Sequence, residues 1–538
     1  MKYLSCLSLL CVALLGGCSR DQGPLREGGL VYCAEGSPEH FNPQRVTSGT
    51  TIDIISQQLY DRLLDIDPQS GDLLPALASS WQRSADGRTY EFQLRPDVQF
   101  HQTHYFTPSR PLQAADVVFT FNRILQPDHP FHAVGGAVYP YFQSVDWTAL
   151  VTEVRATGPL TVQFQLSRPD SSFLSNLATD FAAILSAEYA GQLLASGRPA
   201  QIDSLPVGTG PFFFREYQKD VLVRFYRHAN YWRGEAAMAQ LVFDIVPNNA
   251  RRMAKLLTHE CDIIAYPRLA ELALITERPD VRVQESTSMN VGFWAFNTRK
   301  APFDNVKVRQ ALSLAINQRA ILQAVYFNQA TAARSVLPPT SWAFNPQIPL
   351  HEYNPQRARE LLAEAGYGNG NGFNMNIWAM PVQRLYNPNA LKMAELLQAD
   401  LAQIGVNASI VSYEWNAFRR RLSQGEHDSV LIGWAADNAD PDNFFRPLLS
   451  CAAADSGSNR ALWCDPVFDR MINQALLTSD QQQRRSYYLA AQQYLHNELP
   501  LVAMAHSQRI QALNSQVEGV SINPYGGIAL FQARRVQP

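Results

Sequence analysis

What this 538-residue chain lacks narrows its function before anything it contains does. It has no long basic run, and its 45 Lys and Arg stand against 48 Asp and Glu for a formal charge of −3. Nothing in that balance would steer it to nucleic acid. A hydrophobic share of 46% with 17% charged residues excludes both a disordered chain and a multi-spanning membrane protein. Catalytic signatures are missing too: no Gly-x-Ser-x-Gly, His-Glu-x-x-His or Walker pattern occurs. The Gly366–Gly372 run follows a predicted helix and precedes a predicted strand, the reverse of what a phosphate cradle needs, so it reads as a helix-terminating loop. No enzyme and no cofactor are expected.

Cysteine is scarce as well. Of seven, Cys6, Cys11 and Cys18 lie in an N-terminal leader built of Lys2, the apolar Leu4–Leu15 and the small-residue site Leu15-Gly16-Gly17-Cys18. The apolar stretch is too short for a permanent membrane span. Its end in Cys resembles a bacterial lipobox, in which Cys18 would be acylated and become the mature amino terminus, placing the protein in the cell envelope. Ser19–Gly29, mostly polar or small, suits a tether. Loss of Lys2 with the leader leaves 44 bases against 48 acids, a mature charge of −4. The remaining Cys33, Cys261, Cys451 and Cys464 allow three pairings. Cys451 and Cys464 are close enough to close one loop, which makes Cys451–Cys464 with Cys33–Cys261 the economical choice. A zinc site would want a Cys-x-x-Cys or a nearby His pair, and neither is present, so no metal is expected.

The length suggests about three domains. A strand at Leu30–Cys33 and an amphipathic helix over Thr51–Leu64 come first. An alternating hairpin follows, Leu77–Trp81 and Thr89–Arg95 around Asp86-Gly87, then a helix from Ala114 and a strand at Thr161–Leu166. Pro206–Phe212, with two glycines between prolines, reads as a crossing between domains. Strands at Val221–Tyr226, Leu241–Val246 and Asp262–Ala265 flank a helix at Ala250–Thr258. Beyond an extended Asn290–Asn297, one helix is predicted over Val308–Tyr326, others over Arg357–Ala365, Asn389–Ile404 and Trp415–Ser423, with strands at Asn374–Ala379 and Asn407–Ser412. Short strands at Ile510–Leu513, Val520–Ile522 and Ile528–Phe531 return to the first domain. The fold class is α/β.

The segment Gly433–Phe445 organises the rest. An apolar run, Ser429–Ile432, feeds into three aspartates within six positions. Asp440 and Asp442 read as an Asx-rich turn and helix start. Asp437, three residues after Trp434, puts a carboxylate beside an aromatic wall, a combination suited to a ligand ammonium group.

Four segments together resemble the family 5 solute-binding proteins of ABC importers, the peptide and nickel group: Leu77–His101, Ala115–Phe121, Pro206–Phe212 and Val306–Leu312. The likeness covers nearly all of the mature chain. It implies a periplasmic-binding-protein type II clamp of two lobes joined by a hinge, with an additional third domain. The implied division is a leader 1–18, a tether 19–29, lobe I over 30–72, 206–295 and 509–538, domain II over 73–205, and lobe III over 296–508. Met380–Asn389, Tyr413–Trp415 and Gly433–Phe445 are similar to the dipeptide-binding branch. Phe106–Arg110, Ser341–Ala343 and Phe445–Cys451 are equally similar to the branch associated with resistance to antimicrobial peptides.

By that resemblance Asp437 matches the aspartate that pairs with a peptide ammonium and Arg384 the arginine that pairs with its carboxylate. Trp415, Trp434, Tyr386 and Tyr139 match pocket walls, and the two cysteine pairs match family disulfides. Two extended residues span only about 7 Å, so holding both ends would measure length and leave side chains loosely read. The implied protein is a monomeric lipoprotein of the periplasm or cell envelope, anchored through Cys18, that delivers short peptides to the permease subunits of the inner membrane. Cationic antimicrobial peptides or haem are the alternative cargo. A secreted peptidase, the alternative of another class, would need a nucleophile and base that no motif supplies.

Overall fold

A computed structural model describes residues 28–368, 372–456 and 459–536. The leader with Cys18, the tether up to residue 27, and residues 369–371 of the Gly366–Gly372 loop lie outside them. Among the described residues no helix is long and apolar enough to cross a membrane.

The fold is a two-lobed α/β clamp built on one twelve-stranded sheet. On one side Gly29–Ala34 sits between the parallel Gln240–Ile245 and Ile263–Ala265. On the other, Ser429–Ala435 sits between the parallel Asn374–Ala379 and the antiparallel Asn290–Phe296. Having neighbours on both edges and helices over the faces requires a continuous apolar run. Val430, Leu431 and Ile432 supply it, and all are buried.

The predicted short strand at Ile510–Leu513 is part of a 14-residue strand, Leu501–Asn514, that crosses from one lobe to the other. Its first residues pair with Asn290–Phe296, and its last with Val281–Thr287 and Ile263–Ala265. Asn290 clasps the crossing. Its Oδ1 accepts from Ser507 N (3.1 Å) and Oγ (3.0 Å), and its Nδ2 donates to Ser507 O (2.6 Å). Polar residues such as His506, Ser507 and Arg509 interrupt the apolar pattern where the strand passes between lobes, which hid its length from a periodicity reading.

A second, four-stranded antiparallel sheet carries the expected hairpin, Ala78–Arg83 with Thr89–Leu94, turned at Gly87 (φ +69°). It shares one contiguous apolar core with the first lobe, from Leu30 to Ala533, while the other lobe has a core of its own. The cysteines form Cys33–Cys261 and Cys451–Cys464. Cys33, Asp244 and Cys261 are the one group of possible metal ligands clustered among the described residues, and its two sulfurs are bonded to each other.

Two helices differ from the sequence reading. The expected Thr51–Leu64 helix is Gly49–Leu59, buried on nearly every side rather than amphipathic. It stops because Gly208 and Gly210 press on its last turn: a Cβ on Gly208 would fall 2.0 Å from the Leu59 carbonyl oxygen. Beyond it, Asp61 is taken by the side chains of Thr209, Tyr231 and Trp232. The expected single helix over Val308–Tyr326 is two, Val306–Ala315 and Gln318–Tyr326. Asn317 makes the break, since its Oδ1 accepts from Ala320 N (3.0 Å) as an N-cap and its own N–H donates to Asp400. Asn317→Ala should therefore lower unfolding stability in urea by about 1 kcal/mol, the usual worth of such a cap.

Candidate functional site

The lobes meet around a cavity of about 150 Å³, roughly ten times what one water needs. Ser48, Gly49 and Asp53 enter it from the helix Gly49–Leu59 and its N-cap, Trp434 and Asp437 from the far lobe, and Phe181 from the domain of the four-stranded sheet.

Trp434 is the penultimate residue of strand Ser429–Ala435, and Asp437 lies just past its end, where Ala436 N donates to Met289 O (2.7 Å) before the chain turns. Asp440 N donates to Asn438 Oδ1 and Asp442 N to Asp440 Oδ1, the expected Asx turns. Asp440 and Asp442 are structural in other ways too: Arg484 holds the first (2.8 Å), and Arg446 joins the second (3.0 Å) to Asp170 (3.3 Å) of the neighbouring domain. Asp437 has no cationic partner among the described residues. Asn443 serves it instead: its Oδ1 accepts from Asp437 N (3.1 Å) and Trp434 Nε1 (3.0 Å), and its Nδ2 lies 3.4 Å from both Asp437 Oδ2 and the Tyr141 hydroxyl. Burial pushes the Asp437 carboxyl up to about 8, against the Asn443 hydrogen bond and with help from Asp180.

Arg384 is presented by a tight turn in which Arg384 and Asn387 exchange backbone hydrogen bonds. Tyr326 Oη donates to Tyr386 O (2.8 Å) and fixes that loop from behind. Its floor is a glycine pair, Gly292 opposite Gly433. A Cβ on Gly433 would sit 2.3 Å from the Tyr386 ring, so only glycine lets Tyr386 lie flat there. The Arg384 guanidinium stacks 4.8 Å from the Trp415 ring centroid. Its Nη1 donates to Glu35 (3.0 Å) and Thr50 (2.8 Å) across the cleft, while Nε and Nη2 have no acceptor among the described residues.

Trp415 opens the helix Trp415–Ser423, capped by Glu414 and anchored by buried Phe418 and Leu422. Arg419, one turn on, shares its cavity-facing side and is ion-paired with Glu39 of the opposite lobe. Arg384–Glu35 and Arg419–Glu39 thus both bridge the lobes. Arg509–Asp53 (2.9 Å) is the third ion pair at the wall, and burial lifts Asp53 to about 6 despite the arginine.

Asp437, Arg384, Trp415, Trp434 and Tyr386 are thus brought into one cavity. Tyr139 is not. It is 2% exposed in the core beside the four-stranded sheet, with its hydroxyl donating to the carbonyls of Phe131 (3.3 Å) and His132 (3.1 Å) and Arg123 against its ring. Tyr141, two residues on, joins the Asp437 network through Asn443. Among the residues that sequence reasoning missed, Arg419 was within reach as i+4 from Trp415, and Asn443 as the amide six places after Asp437. Tyr141 and Arg460 carry no such local signal.

Residues 72–456 match the model of the bacterial extracellular solute-binding proteins, family 5 Middle. A dipeptide-binding protein of Escherichia coli K12 is 44% identical, with 92% of each chain covered. The peptide transport periplasmic protein SapA of Salmonella typhimurium is also 44% identical, over 95% of this chain and 92% of its own. The crystal structure of a dipeptide binding protein from Pseudoalteromonas sp. SM9913 in complex with Met-Leu superposes with a TM-score of 0.92 at 52% identity, covering 94% of this chain and all of that one.

Proposed function

The chain belongs to the bacterial extracellular solute-binding proteins of family 5, and from that premise we propose that it captures short peptides, dipeptides above all, by their two charged ends and hands them to an ABC importer. One observation carries this reading. A single aromatic-walled cavity contains a carboxylate, Asp437, with no cationic partner among the described residues, and an arginine, Arg384, whose Nε and Nη2 have no acceptor among them, and their hydrogen-bond neighbours have no residue in common. Asp437 takes the peptide ammonium and Arg384 the terminal carboxylate, while Trp415, Trp434 and Tyr386 enclose the backbone between them. Binding energy from both ends favours the closed lobes, the form a permease would recognise.

The likeness to SapA makes long cationic peptides the second reading, with haem beside them. In either case the protein acts as a monomer in the periplasm or cell envelope, anchored through Cys18, and the segments 30–72, 206–295 and 509–538 form the lobe that faces lobe III across the cleft, with 73–205 as the added domain.

Calorimetric titration of the mature protein, stripped of cargo by unfolding and refolding, tests this. Ala-Ala should bind tightly, its amide and tetra-alanine at least 100-fold more weakly. Failure of Ala-Ala beside binding of a long cationic peptide or of haem would transfer the assignment to the second reading. Cleavage of the dipeptide would end the binder assignment altogether.

A further inference from the structure

Four arginines line the cavity: Arg384, Arg419, Arg460 and Arg509. Three have a carboxylate each, in Glu35, Glu39 and Asp53. The guanidinium of Arg460 has neither a carboxylate nor any hydrogen-bond acceptor among the described residues, and the charged side chain that acts on it most is another cation, Arg419. Half-buried, it is held at the cavity wall with its charge uncompensated, and burial with that like charge pushes it down to about 10. A buried unmatched charge is costly unless something arrives to match it.

Residues 459–461 are held by hydrogen bonds to their surroundings. The Arg460 carbonyl lies 2.8 Å from His427 Nε2, and the Ala461 carbonyl accepts from Thr298 N (2.9 Å). Asn459, fully buried, donates to the carbonyls of Ser450 (3.2 Å) and Trp463 (2.7 Å). The Cys451–Cys464 disulfide closes the same segment.

We infer that Arg460 is a second anion-binding position in the cavity and that it selects peptides bearing an acidic side chain in addition to their terminal carboxylate. This rests on the two-ended clamp proposed above: with the ammonium at Asp437 and the terminal carboxylate at Arg384, the Asp or Glu side chain of the peptide turns to Arg460. A charge-assisted hydrogen bond of this kind gives about 10–100-fold in affinity.

Titration of the mature protein with Ala-Ala, Ala-Glu, Glu-Ala and their Gln isosteres tests it, in wild type and in Arg460→Gln, with thermal unfolding to verify that the variant is folded. At least one Glu peptide should bind 10–100-fold tighter than its Gln isostere. In Arg460→Gln that preference should fall to about one, with Ala-Ala within threefold of wild type, and Arg460→Lys should restore part of it. Equal affinity for Glu and Gln peptides in both orders, with Ala-Ala still binding, would overturn the Arg460 inference and leave the clamp standing. A preference that persists in Arg460→Gln, or an equal loss of Ala-Ala and Glu peptides, would overturn it as well. Failure of every dipeptide would remove the clamp itself and the inference with it.

Discussion

Asp437→Asn should cut dipeptide affinity by about 100- to 4,000-fold, because removing one partner of a buried charge pair typically costs about 3–5 kcal/mol. The effect has a pH signature. Burial holds the Asp437 carboxyl at about 8, so near neutrality the free protein carries it mostly protonated. An ammonium ligand needs the carboxylate, so binding expels the proton. Affinity should then rise about tenfold per pH unit up to pH ~8 and level off there, where the peptide amine, with a pKa of about 8, begins to lose its charge. Calorimetry in buffers of different ionisation enthalpy at pH 7 should find close to one proton released per peptide in wild type and none in Asp437→Asn. A flat affinity between pH 6 and 8 would contradict it.

The same residue should act oppositely on stability. The folded pKa lies above the unfolded value of 3.8, so the folded chain holds the proton longer than the unfolded one. Stability from this group is complete below pH ~4 and declines as pH rises toward about 8. Asp437→Asn escapes that loss. Its melting temperature should exceed the wild-type value at pH 8 and approach it near pH 4, the usual opposition between a binding site and the fold that holds it.

How far the sequence discloses this arrangement depends on how local each cause is. Trp415–Ser423 is found at its observed bounds because its cap, Glu414, and its anchors, Phe418 and Leu422, all lie within nine residues. The strand before Asp437 is legible for a similar reason: full burial demands an unbroken apolar run, and Ser429–Ile432 provides one before the acids begin. The end of the helix at Leu59 is different. It is set by Gly208 and Gly210, about 150 residues away, and no pattern within the helix announces it. Arg384 shows both sides of the problem. The family resemblance implies a ligand-facing role for it, yet its pairing with Glu35 spans 349 positions of the chain, which no local pattern announces. Tyr139 is the same kind of case, since a tyrosine in an irregular stretch can face core or cleft and only the packing of Phe131 and Arg123 decides for the core. Arg460 is the extreme case. One arginine among many in sequence, it stands out only when the other three in the cavity are seen to be matched.

Arg384→Ala should cost about 100-fold in affinity for Ala-Ala and almost nothing for its amide, which has no terminal carboxylate to lose. The pairing of Arg384 with Glu35 and Thr50 raises a competing account, in which the arginine serves only to latch the lobes together. The two accounts separate cleanly. A latch acts before any ligand is recognised, so Arg384→Ala and Glu35→Gln would then weaken the free-ended and amidated dipeptides equally. A carboxylate holder acts on one end of one ligand. The loss in Arg384→Ala should therefore coincide with the loss on amidation, the two together costing scarcely more than either alone, a coupling of about 2–3 kcal/mol. Glu35→Gln should keep the tenfold-or-greater discrimination between acid and amide, since Thr50 still accepts from Nη1 and neither Nε nor Nη2 has an acceptor among the described residues to compete with a ligand. Loss of that discrimination in Glu35→Gln would mean that the acid is what aims the guanidinium, and Glu35 would join Arg384 as part of the reader of the peptide's carboxyl end.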